Sequence, residues 1–137
     1  LKDKVWTIPA DRMKADKEHR VPLSSKCVDL LNDMQSFKIN DSVFPGQRKG
    51  LSNMAMLALL ERMNRKDITV HGFRSSFRDW AAEIRHYPNE LIEMCIAHTI
   101  KNQSEAAYRR GDLLEKRFNV MNDWAGYCDG LIGDGKA

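Results

Sequence analysis

The residues of this chain best suited to chemistry are four cationic donors and a tyrosine: Lys14, His71, Arg74, His98 and Tyr108, which follows His98 by ten residues. They cluster near the expected ends of helices, and their types suit phosphate. An arginine is permanently charged and forks across two oxygens at once. Histidines add donors whose protonation changes near neutrality. One reaction open to such a set is a metal-free RNA transesterification. His71 and His98 would serve as acid and base, Lys14 and Arg74 would bind the phosphate, and a 2′-hydroxyl would be the nucleophile. Each residue also has a plainer reading. His-x-x-Arg recurs by chance, His98 can cap the last carbonyls of an apolar helix, and Tyr108 can pack as a helical aromatic with its hydroxyl at the surface. Phosphate-loop, G-x-G-x-x-G, H-E-x-x-H and G-x-S-x-G signatures are absent.

The elements that must position these residues follow from pattern. Lys4–Ile8 alternates bulky and β-branched residues, and Arg20–Leu23 is a second short apolar stretch, so the two predict a β-hairpin with a basic tip. Pro9 and Pro22 belong at strand ends or an edge, since proline cannot donate to a ladder. One hairpin is marginal alone, so a third strand or a helical floor is expected. Ser24 or Ser25 caps a helix carrying Val28, Leu31 and Met34. Phe44-Pro45-Gly46 signals a turn. Ser52 caps a helix running to about Asn64, with Arg62, Arg65 and Lys66 suited to its C-terminal dipole. Ile68–Val70 is a short extended entry to a helix over Ser75–Arg85, which ends before Pro88. The next helix starts at Pro88 and reaches His98. The last helical region spans about Ser104 to Tyr127, with a break or bend at Gly111. Its apolar stripe is Leu114, Phe118, Met121, Ala125 and Cys128. Residues 130–137 are Gly-rich and expected to be a flexible tail.

The chain has 137 residues, 42% of them hydrophobic and 30% charged, which predicts one domain of globular composition. The expected class is mainly α with a small N-terminal β-hairpin, an α+β fold. Cys27, Cys95 and Cys128 lack the spacing of a disulfide framework or zinc site, which points to a reducing, cytoplasmic setting. No apolar run approaches the ~18 residues of a membrane span, so no membrane partner is expected. The net charge is +3. Residues 1–26 hold seven Lys/Arg against four Asp/Glu, and the remainder balances at fifteen of each, so the excess lies in the hairpin segment. That segment could meet a phosphate backbone or be an ordinary solvated hairpin.

Taken in order, His71-Gly72-Phe73-Arg74, then His98, then Ala106-Ala107-Tyr108-Arg109-Arg110 resemble the C-terminal catalytic half of the tyrosine recombinases, nearest to the phage and prophage integrases. The likeness extends through HGFRSSFRDWAAE at 71–83, IAHTIKNQSEAAYRRGDLLEKR at 96–117, MKADKEHRVPLS at 13–24 and Met121–Ala125, nearly the whole chain. It implies the DNA breaking-rejoining catalytic fold shared with type IB topoisomerases. It further implies Tyr108 as nucleophile, Arg74 on the non-bridging oxygens of the scissile phosphate, His71 in proton transfer or phosphate binding, and His98 as a phosphate donor. Lys14 matches the lysine that protonates the leaving 5′ oxygen, with Lys17 three residues away as its rival. A phenol of pKa about 10 is only about 0.1% ionised at pH 7, so the nucleophile needs a base or a strong positive field. No metal or other cofactor is implied. Lys17, Arg48, Lys49, Arg109 and Arg110 are candidate DNA contacts.

In one respect the chain departs from the family pattern. The pattern places a first arginine, followed three residues later by an acidic residue, upstream of the hairpin, and only the poorly placed Arg12 precedes Lys14. The expectation is a truncated catalytic domain over 1–129 that begins after that arginine. By analogy with a lost oxyanion donor, its absence lowers the rate by roughly 10²–10³. The implied parent acts on double-stranded attachment-site DNA as a tetrameric synapse, in the bacterial cytoplasm on a chromosome or mobile element. The alternative is a non-catalytic DNA-binding or assembly module from a decayed prophage integrase.

Overall fold

A computed structural model describes residues 3–46, 49–98 and 111–130. The front is the expected hairpin: β1 (Val5–Ile8) pairs antiparallel with β2 (His19–Pro22) in the register Val5↔Pro22, Trp6↔Val21, Thr7↔Arg20 and Ile8↔His19. Pro9 follows β1 and Pro22 ends β2, so neither proline interrupts the ladder. A helical floor supports the ribbon, because β2 packs on the C-terminal helix Leu114–Cys128.

Ser24 is the serine that caps α1 (Ser25–Gln35); its hydroxyl accepts the Cys27 amide at 3.3 Å. Val28, Leu31 and Met34 form the half-buried face of that helix. α2 (Ala55–Arg62) differs from expectation at its start. Ser52 contributes its carbonyl, which accepts the Ala55 amide at 3.0 Å, and Met54 opens the helix with no side-chain cap. At its end Asn64 turns left-handed, as Asn readily does, and the Arg65 amide returns to the Leu60 carbonyl at 2.8 Å. Between α1 and α2, Gly46 and Gly50 close a tight loop in which a Cβ on Gly46 would lie 2.4 Å from the Gly50 carbonyl oxygen.

α3 (Gly72–Asp79) begins three residues before the predicted Ser75. The cause is Thr69, whose hydroxyl and carbonyl both accept the Gly72 amide, at 3.1 and 3.0 Å, and no strand forms over 68–70. The helix then widens into a π-helical turn over Trp80–Ile84, which sets Trp80 and Ala81 into the core. α4 (Asn89–Cys95) ends before His98, and α5 (Leu114–Cys128) begins just beyond Gly111, where a break or bend was expected; residues 111–113 are not helical. The part of the predicted last helix that falls on 104–110 lies outside the described residues, as does the tail from 131 onward.

The core joins Phe77, Trp80, Ala81, Leu91, Ile92, Cys95 and Val120, with Trp124 and Tyr127 packed against them. Trp80 lies 5.0 Å from Trp124, and Trp124 stacks on Tyr127 at 5.6 Å between ring centres. The inward face of α5 centres on Arg117, Val120, Trp124 and Tyr127, one position off most of the predicted stripe; of that stripe Met121 packs against the core, Leu114, Phe118 and Ala125 are half-buried, and Cys128 is exposed. A buried arginine standing where an apolar residue was expected is what displaced the reading. Among the described residues no helix is long and apolar enough to cross a membrane.

Candidate active site

Arg74 is the third residue of α3 and half-buried; His71 stands exposed just before that helix, and its carbonyl accepts the Arg74 amide at 3.1 Å. The Thr69 cap therefore fixes both residues of the His-x-x-Arg pair on one rigid turn. Lys14 and Lys17 are both exposed between β1 and β2, and the geometry does not separate them. Among the described residues, no hydrogen bond or ion pair joins the side chains of Lys14, Lys17, Lys49, His71 or Arg74 to another residue. Tyr108, Arg48, Arg109 and Arg110 lie outside the described residues.

His98 follows α4 and is half exposed on its side chain. Its ring does not cap the helix. Its backbone does: the His98 amide donates to the Glu93 carbonyl at 2.9 Å, while Ala97 takes φ 55 and donates to Met94 at 3.4 Å. This left-handed helix end normally carries glycine, because a Cβ there costs about 1–2 kcal/mol. The His98 ring turns instead to Glu93, whose carboxylate meets its Nδ1.

Sequence reasoning missed several residues around these. Glu93 also accepts from Arg78 Nε at 2.9 Å, tying α4 to α3 one turn beyond Arg74. Burial works against the Glu93 carboxylate, but Arg78 and His98 outweigh it and hold the carboxyl below its usual range. Arg117 is fully buried; it donates to the carbonyls of Arg20 on β2 and of Asp112, the latter at 3.3 Å, and so clips the hairpin to α5. Arg20 reaches Asp112 as well, at 3.2 Å. His19, beside this cluster, is held below its ordinary pKa by burial first, then by the positive fields of Arg117 and Arg74, with Asp112 opposing them. Arg74 is thus close enough for its charge to be felt at His19 on β2. The sequence did carry one signal for His19, its place within the quoted hairpin stretch MKADKEHRVPLS.

Tyr87 and Tyr127 are both built into the core; the Tyr87 hydroxyl donates to Asp123 at 2.6 Å, which also receives Arg85. Among the described residues no three His, Cys, Asp or Glu side chains gather to hold a metal ion.

The chain is 37% identical to the prophage integrase IntZ of Escherichia coli K12 over 136 residues, 96% of this chain and 34% of that protein. It is 34% identical to the prophage integrase IntA of the same strain over 88% of this chain and 30% of that protein, and 28% identical to the integrase of Shigella phage Sf6 over 94% and 35%. The chain belongs to the phage integrase family. It spans about a third of the length of these curated integrases. No family model matches it, and no solved structure matches it at a significant level.

Proposed function

We propose that this chain is the catalytic part, over residues 1–129 with 130–137 as a flexible tail, of a tyrosine-type integrase that cuts and rejoins double-stranded DNA at attachment sites. The observation that carries this reading is the state of Arg74. Arg20, Arg78, Arg85 and Arg117 each meet a carboxylate. Arg74, half-buried on a capped helix, has no ion pair among the described residues and is left to an external anion.

In this reading the Tyr108 oxygen attacks the scissile phosphorus as its phenolic proton passes to His71. A bond forms from tyrosine to the 3′-phosphate, and the bond to the 5′ oxygen breaks. Negative charge gathers on the equatorial oxygens, where the Arg74 guanidinium forks across two of them and His71 and His98 donate. Lys14 supplies the proton to the departing 5′ oxygen, which as an alkoxide is too basic to leave unaided. The phosphotyrosyl bond keeps the energy of the broken strand, so a 5′-hydroxyl from a partner duplex can displace the tyrosine without ATP. Lys17, Arg48, Lys49, Arg109 and Arg110 hold the DNA backbone. Exchange takes place in a tetramer, in the bacterial cytoplasm on a chromosome or mobile element. The present chain contains no match to the family's first arginine ahead of Lys14, so alone it is slowed by roughly 10²–10³.

The test mixes the chain, extended upstream to regain that arginine, with a pool of nicked duplexes. Nicking lets the short cleaved piece diffuse away and traps the covalent intermediate. Mass spectrometry should find a nucleotide adduct on Tyr108 and none in Tyr108→Phe. An adduct that persists in Tyr108→Phe, or none from the extended chain while DNA stays bound, counts against the proposal.

A further inference from the structure

Glu93 holds His98 at two points. Its backbone carbonyl accepts the His98 amide at 2.9 Å, and its side-chain carboxylate meets the ring at Nδ1. The other carboxylate oxygen accepts from Arg78 Nε at 2.9 Å, and Arg78 also reaches the Asn89 side chain at 3.5 Å. Glu93 is itself largely covered, its side chain 14% exposed, whereas the His98 ring is 51% exposed. A covered carboxylate thus stands behind an open imidazole and is fixed in turn by a guanidinium one turn along the helix that carries Arg74. The strained φ of 55 at Ala97 is what turns His98 back toward Glu93.

We propose that Glu93 is a positioning residue for His98: it occupies Nδ1, leaves Nε2 alone to face the DNA phosphate, and locks that direction to the Arg74 helix through Arg78. This deepens the recombinase reading and rests on it for the role of His98. With Nδ1 donating to Glu93, the neutral ring carries its proton on Nδ1 and a lone pair on Nε2, and the protonated ring offers Nε2–H outward. In both states Nε2 is the nitrogen presented to substrate, and it is the protonated ring that donates there to the phosphate. A carboxylate behind an imidazole fixes tautomer and ring plane, and removing such a partner from metal-bound histidines lowers affinity or activity by roughly 10–100-fold, the scale expected here.

The test has two readouts. Long-range proton–nitrogen spectra of the 15N-labelled chain, taken where the rings are neutral, report which nitrogen of each of the four histidines carries the proton. His98 should be protonated on Nδ1. Glu93→Gln, which keeps an acceptor, should preserve that state, and Glu93→Ala should shift the proton to Nε2 while His19, His71 and His86 stay unmoved. Adduct formation on Tyr108 in the upstream-extended chain should fall roughly 10–100-fold in Glu93→Ala with DNA affinity unchanged, and stay within a few-fold of wild type in Glu93→Gln. The proposal is overturned if wild-type His98 is protonated on Nε2, if its tautomer ignores Glu93→Ala, or if that variant forms adduct at the wild-type rate. A tautomer that follows Glu93, combined with no adduct from the wild type, supports the positioning role and rejects the recombinase reading alone.

Discussion

Arg74 and Arg78 sit one turn apart on α3 and meet different ends: Arg78 is bound to Glu93, whereas Arg74 stands without an ion pair among the described residues. Removing Arg74 should therefore hardly touch stability. We expect Arg74→Ala to unfold within about 0.5 kcal/mol of wild type in urea, yet to lose adduct formation by at least ~10² in the extended chain. Arg74→Lys should recover little, because a point charge cannot fork across two oxygens. His19 makes a pH prediction. Its folded pKa lies below the unfolded value, so its contribution to stability is complete above about pH 6.5 and is lost as pH falls through the folded pKa. The melting temperature should drop between pH 7.5 and pH 5, and His19→Asn should flatten that drop; an equal slope in both proteins would refute the assignment. At this scale the sequence exposed the free cations, because charge and order are written in it. It concealed Glu93, Arg78 and Arg117, whose importance comes from which elements meet.

The helix ends explain much of the rest. α2 closes through a left-handed Asn64 and α4 through a left-handed Ala97, although the hydrogen-bond pattern is the same. Asparagine tolerates that region and alanine does not. Ala97→Gly should thus raise stability by about 1 kcal/mol, measured by chemical denaturation, since relief of the Cβ exceeds the added chain entropy. No gain would mean that Ala97 does not hold this conformation in solution. The hairpin, the Ser24 cap and the α1 face were legible because proline position, capping chemistry and period are local signals. The α3 start was not, since Thr69 caps from outside the expected helix. The π turn carries no residue signature at all. On α5, Arg117 hid the true inward face by its charge.

Taken whole, cohesion is uneven along the chain. The buried aromatic and aliphatic cluster is drawn from residues 77–127. Of the large apolar side chains left exposed among the described residues, all except Trp6 fall between Leu30 and Phe73, including Met54, Met56, Leu57, Leu59 and Met63 around α2. α1 touches α5 through an exposed Lys26–Asp129 pair at 3.1 Å, a contact worth little in water. Hydrogen exchange should accordingly separate the two regions. Amides of α1 and α2 should exchange at least ~10-fold faster than those of α3, α4 and α5, which open only with the whole fold. Uniform protection would show that the front half shares the core's stability.

The wide turn at Trp80–Ile84 has a consequence for descent. An α-helix advances about 100° per residue, and a π turn accommodates one residue more than the regular ladder. The spacing from Arg74 to Trp80 therefore acts as a phase setting: it decides where the guanidiniums point once the tryptophan is seated. A lineage that lost Ala82 would regain a regular helix, but the two turns before it would swing by about a quarter-circle and carry Arg78 away from Glu93. Substitutions can accumulate at the exposed positions between Arg74, Arg78 and the buried Trp80 and Ala81, while the length of the stretch cannot change, so among relatives it should align without gaps.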